Sequence, residues 1–391
     1  MQIRKYVSRE VLFVSVAAFV IGFGEELWIR YIPRYLQVLG TPILAIGLFG
    51  SFENLLDALY QYPGGILSDR FGYRTAFLLF LALAIGGYLC VFASPPWILV
   101  YVGLLGIMAW NSLAFPSIFS VIGATLPKDR QIFGFTVQSL LKRLPTILSP
   151  ILGGLLIRKL GIVTSVRGCA LFTAVLAAGC MLLLRRIEPI IPGRSVKFFE
   201  IKSVFQAIPH SLKRLLIADI LARIAEGMVD VLVILYVINQ LRIPESHYGK
   251  FVSIAMLTST VIYLPVANIA AKFGRKKFVL LTLFFFALFP VAVVLSKNEF
   301  HVAIAFFIAG LREIGEPSRK SMIAGLAPAP LRGSVVGLYY LLRQSCIAPS
   351  GFIGAWIYRN NPALPFWIAG FAGFLAVIYA VIFVHDSVES N

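Results

Sequence analysis

The chain is a succession of long apolar stretches, and this pattern limits its fold more than any other feature of the sequence. A helix that crosses the hydrocarbon core of a bilayer needs about 20 consecutive, mainly apolar residues. Stretches of this kind begin near Val11, Ile43, Thr75, Trp97, Phe133, Val163, Leu215, His247, Phe278, Val302, Val335 and Pro362. Of the 391 residues, 59% are hydrophobic and only 14% are charged, so a water-soluble chain would lack the polar surface to cover itself. We therefore predict an all-α membrane protein with twelve transmembrane helices.

The placement of the basic residues predicts how the chain is oriented. Most of the 35 Lys and Arg residues fall into segments on one side of the membrane, among them Arg4, Lys5, Arg70 and Arg74. Cytoplasmic loops carry such an excess, so both termini are predicted to be cytoplasmic. The net charge of +17 therefore arises from this distribution and does not indicate a nucleic-acid-binding face. We predict a multi-pass protein of the plasma (cytoplasmic) membrane.

The four cysteines do not indicate a metal site or a disulfide framework. They lie inside apolar stretches, where a free cysteine behaves as a small hydrophobic residue: Cys90, Cys169, Cys180 and Cys346. The sequence also contains no Walker-type phosphate loop. No cofactor and no metal are therefore expected.

A polar stretch divides the chain into two halves. We predict an N-terminal six-helix bundle at 1–184, a cytoplasmic linker at 185–214 and a C-terminal six-helix bundle at 215–391. The halves are similar at an offset near 201, and this pseudo-symmetry places a transporter's binding site at their interface near the bilayer midplane. The matching pairs are Glu25 and Glu226, Tyr35 and Tyr236, Pro116 and Pro317, and, at an offset of 200, Arg143 with Arg343 and Gly154 with Gly354.

Charged residues inside the apolar stretches are confined to predicted helices one, two, five, seven, ten and eleven. A charge in lipid is costly, so these helices are expected to face a polar interior. On predicted helix seven, Asp219, Arg223, Glu226 and Asp230 lie on one narrow face. The same spacing also fits acids and bases that only neutralise each other. The residues predicted to line a substrate cavity are Glu26, Arg30, Asp57, Trp110, Asn111, Arg143, Arg223, Arg312, Glu313 and Arg343, with uncharged predicted helix four completing the wall.

A glycine-containing loop follows the second apolar stretch. The run from Gly64 to Arg74, with Asp69-Arg70 between glycines, resembles the signature loop of the major facilitator superfamily. A degraded copy runs from Ala267 to Lys277 in the second half, with Ala271 in place of the aspartate. The resemblance extends over the whole chain through the helix number, the two halves and both loops, and it implies the fold of that family.

The resemblance also implies a gating role for this loop. In the family the aspartate latches onto the start of helix eleven when the inner side is closed, and the basic residues pair with nearby acids. The gating residues implied here are Gly65, Asp69, Arg70, Gly72 and Arg74, with Asp129 as the acid.

The chain departs from the family's proton-coupled drug exporters at two places. Those exporters usually carry an arginine in helix four, whereas this chain has Trp110, Asn111 and Ser112 and no charge. Their antiporter motif in helix five is matched from Ser149 to Gly154, but its first glycine is missing. We therefore predict a secondary active transporter of a small organic solute, working by alternating access, with export favoured only slightly over import.

Protons are the expected coupling ion. A low-dielectric cavity disfavours the charged form of a carboxylate, and a neighbouring arginine opposes this effect. The predicted proton carriers are Glu25, Glu226, Asp230 and Glu316. Glu316 follows Arg312 by four residues, so the two are expected to form a switchable ion pair on one helix.

Alternatives on the same fold are a lipid or lysolipid carrier, favoured by the Phe-rich composition, and a metal-ion carrier. The metal carrier is disfavoured because His210, His247, His301 and His385 lie in loops or near helix ends. A membrane-embedded enzyme is the rival from another class, but no histidine sits mid-membrane to serve as its base, so we predict no enzymatic activity. The expected partners are the substrate, protons and the lipid bilayer, and the chain is expected to be a monomer.

Overall fold

The computed structural model describes residues 9–114, 128–187, 201–328 and 332–384. Side chains are described within these ranges except at 61–66, 68–69, 128–140, 201–203, 263–268, 270–273, 324 and 332–334. Every regular element in the described ranges is a helix, which confirms the predicted all-α class.

The helices fall before and after the predicted linker. Those before it are α1 (Arg9–Glu26), α2 (Ile32–Val38), α3 (Ile43–Phe71), α4 (Tyr73–Ala93), α5 (Ile98–Met108), α6 (Lys128–Leu160) and α7 (Ile162–Leu184). A 3-10 turn at Ile29–Tyr31 precedes α2, and a π-helical turn at Ala109–Leu113 follows α5. The later helices are α8 (Ile201–Gln206), α9 (His210–Asn239), α10 (Glu245–Phe273), α11 (Arg275–Leu295), α12 (Glu299–Leu311), α13 (Glu316–Leu326), α14 (Arg332–Ile347), α15 (Ser350–Asn360) and α16 (Leu364–Phe383).

The predicted apolar stretches begin within a few residues of observed helix starts. Six helical segments of the described ranges are long and apolar enough to cross a membrane, judged by length and composition. They are Arg9–Val38, Ile43–Tyr60, Tyr73–Ala93, Ile162–Leu184, Arg275–Leu295 and Leu364–Phe383. The number of twelve spans and the cytoplasmic position of both termini stay predictions.

Three of the predicted helices are interrupted. Predicted helix one is divided between α1 and α2, helix ten between α12 and α13, and helix eleven between α14 and α15. Proline accounts for the restart in each case: Pro33 and Pro317 occupy the first turns of α2 and α13, and Pro349 precedes α15. A proline has no N–H to donate, so the first turn of a helix is its most favourable position, although Pro145 and Pro150 lie inside α6 and Pro290 lies inside α11.

The break before α13 also depends on a close contact with α11. A Cβ built at Gly315 would collide with the backbone of Phe278, so only glycine permits this approach. The N–H of Gly315, which the interrupted helix leaves without a carbonyl, donates to Thr282 Oγ1 at 2.7 Å. Arg312 and Glu316 therefore stand on opposite sides of a break and not on one continuous helix.

The chain forms two compact units. One comprises Met1–Thr41 with Leu56–Val196, and the other comprises Pro42–Leu55 with Lys197–Asn391. In the first unit α1 packs against α6 and α7, and α4 packs against α5 and α7. In the second unit α9 is central and packs against α11, α14, α15 and α16. The predicted bundle and linker boundaries stay a prediction.

The two units repeat specific contacts. A Cβ at Gly153 would collide with the carbonyl oxygen of Leu27, and a Cβ at Gly354 would collide with that of Met228. Both members of the second pair follow those of the first by 201 residues. The packing thus contains the repeat predicted from the sequence. In these contacts, however, the residue equivalent to Gly354 is Gly153 and not Gly154.

A hydrogen bond between a tyrosine and the end of a helix is repeated in the same way. Tyr35 donates to the carbonyl of Ser94 at 3.4 Å, and its hydroxyl lies 2.6 Å from Ser94 Oγ. Tyr236 donates to the carbonyl of Val294 at 3.5 Å in the second unit. These contacts confirm that Tyr35 and Tyr236 are equivalent positions.

Large apolar side chains remain exposed on the helix surfaces. On α16 they include Phe371, Ile378, Val381 and Ile382. A surface of this kind is unfavourable in water and favourable against lipid tails.

Candidate functional site

The signature loop forms the turn between α3 and α4. Gly72 has a φ of +79°, in the region that favours glycine, and Gly274 between α10 and α11 has a φ of +93°. Gly72 therefore forms a tight turn, and the degraded copy in the second unit retains this turn at Gly274.

The remaining motif residues are only partly described. The Arg70 guanidinium lies 5.5 Å from the ring centroid of Phe71, and Arg74 is half-buried. Gly65, Asp69 and Asp129 lie outside the residues whose side chains are described. The latch formed by Asp69 stays a prediction.

The first unit contains a buried carboxylate at Glu25, near the end of α1. The Tyr88 hydroxyl of α4 donates to Glu25 Oε1 at 2.5 Å, and Asn111 Nδ2 lies 3.5 Å from the same oxygen. Glu25 is only 6% exposed. Among the described residues, no Lys, Arg or His lies within 4.0 Å of this carboxylate. The described groups that contact Glu25 directly are thus neutral donors.

The neighbours of Glu25 are held by packing between α1, α4 and α7. Trp28 meets the Tyr88 ring edge-on, with centroids 6.3 Å apart, and its Nε1 donates to Thr173 Oγ1 at 3.1 Å. Asn111 lies in the π-helical turn, a type of irregularity often found at functional sites. The orientation of both donors is therefore set by elements that are distant in sequence.

Glu26, Arg30 and Asp57, which are also predicted cavity residues, have hydrogen-bond partners within the first unit. Arg30 donates to both oxygens of Glu26, at 3.0 and 3.1 Å. Asp57 Oδ1 accepts a hydrogen bond from Ser112 Oγ at 2.7 Å. Trp110 is buried.

Arg143 lies half-buried on α6. Its carbonyl accepts a hydrogen bond from Thr146 Oγ1 at 2.7 Å. Its place in a substrate cavity stays a prediction.

The second unit contains a larger cluster of charged residues, which lie on α9, α13 and α14 and at the end of α12. We refer to Asp219, Arg223, Glu226, Arg312, Glu316, Arg319, Lys320, Tyr339 and Arg343 as the arginine network. At its centre Arg319 is 2% exposed and Asp219 is 3% exposed, and the two are paired through Arg319 Nη1 and Asp219 Oδ2. Arg319 Nη2 also contacts Glu316 Oε2 at 2.5 Å. Tyr339 donates to Asp219 Oδ2 at 3.1 Å.

Around this centre the remaining members form a second layer of ion pairs. Arg223 Nη1 contacts Glu226 Oε2 at 2.7 Å, and Arg312 Nη1 contacts Glu226 Oε1 at 2.9 Å. Arg343 Nη1 lies 3.4 Å from Asp219 Oδ2. Lys320 Nζ lies 3.4 Å from Glu316 Oε1. Burying so many charges is tolerable only because they are paired and hydrogen-bonded.

Aromatic rings cover the arginines of this layer. Phe286 of α11 lies 4.6 Å from the Arg223 guanidinium and 5.2 Å from that of Arg312. Tyr340 of α14 lies 4.7 Å from the Arg343 guanidinium. Such stacking orients the guanidinium planes and adds cation–π attraction.

The structure brings together most of the predicted charges of the second unit, but in different pairs. The switchable pair of Arg312 and Glu316 is not made among the described contacts, because the helix break separates them. Arg312 instead pairs with Glu226, and Glu316 pairs with Arg319. Asp230 is exposed, and Glu313 is half-buried in the break between α12 and α13.

The predicted site residues do not include Arg319, Tyr88 or Tyr339, and Asp219 is predicted to lie on the charged face of its helix without a role in the site. Arg319 follows Glu316 by three residues and Asp219 precedes Arg223 by four, so helical spacing alone was a usable signal for both. Tyr88 and Tyr339 gave no such signal, because a tyrosine in an apolar stretch is usually a packing residue.

Comparison of the sequence with known families gives a match over nearly the whole chain. Residues 14–218 and 215–391 match the sequence model of the Major Facilitator Superfamily. Multidrug resistance protein MdtH of Yersinia enterocolitica is 24% identical over 364 residues, covering 88% of this chain and 86% of that protein. MdtH of Yersinia pestis is 25% identical over 367 residues, with the same coverage.

Solved structures of transporters have a similar fold. A POT family transporter in complex with a thioalcohol conjugated peptide superposes with a TM-score of 0.76, at 15% identity over 94% of each chain. The nucleoside transporter NupG superposes with a TM-score of 0.76, at 12% identity over 96% of this chain and 98% of its own. At these identities the likeness concerns the fold alone.

Proposed function

Because this chain belongs to the major facilitator superfamily, and is thus a multi-pass membrane transporter, we propose that it exports small organic solutes in exchange for protons. The direction is supported by the relatives, which are multidrug resistance proteins, since resistance requires a solute to leave the cell. At 24% to 25% identity these relatives do not transfer a particular substrate.

The observation that carries the proton coupling is the environment of Glu25. Burial disfavours the charged form of a carboxylate unless a cation compensates it. Glu226 and Glu316 each contact two or more cations, so their charges are compensated. Among the described residues, Glu25 makes its direct contacts with the Tyr88 hydroxyl and the Asn111 amide. Of the predicted carriers, Glu25 is therefore the one best suited to bind and release a proton.

A conformational change that admits water or a cation to Glu25 would favour proton release, whereas the buried arrangement favours the protonated acid. Release on one side of the membrane and uptake on the other would then couple proton movement to solute export.

This proposal predicts that Glu25→Gln uncouples transport from the pH gradient. The amide keeps the size of the side chain and cannot exchange a proton. We expect gradient-driven solute flux in proteoliposomes to fall by about two orders of magnitude toward passive levels, while exchange of solute at equal pH continues, because proton release is then not required. The compound used in this assay is selected from a panel of labelled organic solutes.

The matched control is Glu10→Gln, which makes the same change in the first turn of α1. This variant is expected to retain both gradient-driven flux and exchange at equal pH. Full gradient-driven flux in Glu25→Gln would show that Glu25 does not carry the proton. Reversal of the imposed gradient distinguishes export from import in the same vesicles.

A further inference from the structure

The acids of the arginine network have little capacity for another cation. Glu226 pairs through both carboxylate oxygens, with Arg312 and Arg223. Glu316 also pairs through both, with Lys320 and Arg319. Asp219 Oδ2 is contacted by two arginines and a tyrosine hydroxyl. A cationic solute would have to displace a bound cation at Glu226 or Glu316, and Asp219 is almost closed to solvent at 3% exposure.

The arginines, in contrast, have hydrogen-bond donors to spare. A guanidinium carries five N–H donors in a planar fork. In the described part of the chain the ion pairing of Arg343 is a long contact, 3.4 Å, to an Asp219 oxygen that Arg319 already binds. The Nε atoms of Arg343 and Arg223 are buried and have no hydrogen-bond partner in the part of the chain that the structure describes. A buried donor without an acceptor is unfavourable, and an incoming acceptor would relieve this cost.

These two arginines also lie where a solute can reach them. Their side chains are 12% and 19% exposed, whereas the central pair of Arg319 and Asp219 is closed to solvent. The rings of Tyr340 and Phe286 stack on the two guanidiniums and offer an apolar surface beside the charge. Asp230 and Glu313, the other acids of these elements, each take part in an interaction and are not free.

We propose that Arg343, assisted by Arg223, binds an oxyanion of the transported solute, so that the substrates are small organic anions bearing a carboxylate, sulfonate or phosphate. The proposal rests on the transport function above and specifies its substrate class. Guanidinium forks bind oxyanions through two parallel hydrogen bonds, which explains why arginine and not lysine occupies this position. The aromatic rings would contact the organic part of the solute.

The test compares two dyes that share a xanthene ring system and differ in charge, fluorescein as the anion and rhodamine 123 as the cation. The full chain is reconstituted, and exchange of each dye is measured at equal pH on both sides, with protein-free vesicles subtracted. We expect saturable, protein-dependent exchange of fluorescein and none of rhodamine 123. Exchange of rhodamine 123, with or without fluorescein, would overturn the proposal, and so would exchange of neither dye.

Variants at Arg343 distinguish an effect on solute binding from an effect on the folded structure. Arg343→Gln should raise the concentration for half-maximal fluorescein exchange about tenfold with little change in maximal rate, because a charge-assisted hydrogen bond is lost. Arg343→Lys should raise the half-maximal concentration less than Arg343→Gln does. The control Arg359→Gln, at an exposed position at the end of α15, should behave as the wild type. An unchanged half-maximal concentration in Arg343→Gln would overturn the assignment.

The two proposals fail in different ways. Protein-dependent exchange of rhodamine 123 would leave transport intact and refute the anion site. Full gradient-driven flux in Glu25→Gln would refute the role of Glu25 as the proton carrier, whatever the charge of the solute. The equal-pH exchange assay needs no proton movement, so it tests the anion site independently.

Discussion

Replacement of Arg319 by methionine is expected to destabilise the protein by about 3–5 kcal/mol, because it leaves buried carboxylates without their cation. Arg319 is closed to solvent and contacts Asp219 of α9 and Glu316 of its own helix. Methionine fills much of the same volume, so the expected loss reflects uncompensated charge more than a cavity. The midpoint of thermal unfolding of the purified protein in detergent measures the effect.

Two further variants identify the cause of this loss. Lys320→Met makes the same kind of change at the next residue, which is 55% exposed and makes one long ion pair, so we expect a change of less than about 0.5 kcal/mol. Combining Arg319→Met with Asp219→Asn and Glu316→Gln removes the uncompensated acids and should recover most of the stability. A single Arg319→Met variant as stable as the wild type would show that the buried pair contributes nothing to folding.

The second large effect is expected at the repeated helix contacts. Gly153→Ala and Gly354→Ala each place a Cβ on a backbone carbonyl oxygen, that of Leu27 just after α1 and that of Met228 in α9. A backbone cannot move aside as a flexible side chain can, so we expect each substitution to cost about 1–3 kcal/mol or to prevent folding. Fluorescence-detected size-exclusion chromatography after heating gives both the yield and the unfolding midpoint.

Glycines without close neighbours provide controls, because substitution by alanine is expected to have the opposite effect on stability. Gly168 and Gly337 are exposed helical residues with nothing within 4 Å of a built Cβ. Alanine is the better helix former by about 1 kcal/mol, so Gly168→Ala and Gly337→Ala should be neutral or stabilising. Equal behaviour of the contact glycines and these controls would contradict the close packing of the repeated contacts.

The positions of the helices could be predicted because lipid imposes a simple requirement. A chain in a bilayer must satisfy its backbone hydrogen bonds within each crossing segment, so segment length and apolarity determine where helices lie. The signature loop was predictable for a similar reason, since Gly72 marks a backbone conformation that other residues rarely adopt.

The charged faces were predictable only within one helix. The spacing of Arg223 and Glu226 on α9 indicates their ion pair, and the structure contains it. The partner of Arg312 could not be inferred in this way. Its pairing with Glu226 follows from the break before α13, and that break depends on the approach of Gly315 to Phe278 on another helix.

The sequence by itself determined an all-α protein, the approximate starts of its helices and the spacing of its charges, because these depend on local periodicity and on the properties of lipid. Only the tertiary structure decided the surroundings of Glu25. Tyr88 lies in an apolar stretch without charge, and nothing local indicates that it donates to an acid 63 residues earlier. That contact requires α4 to pack close to α1, with Trp28 holding the ring in place. Contacts of this kind depend on which helices become neighbours, and periodicity along a single helix carries no information about its neighbours.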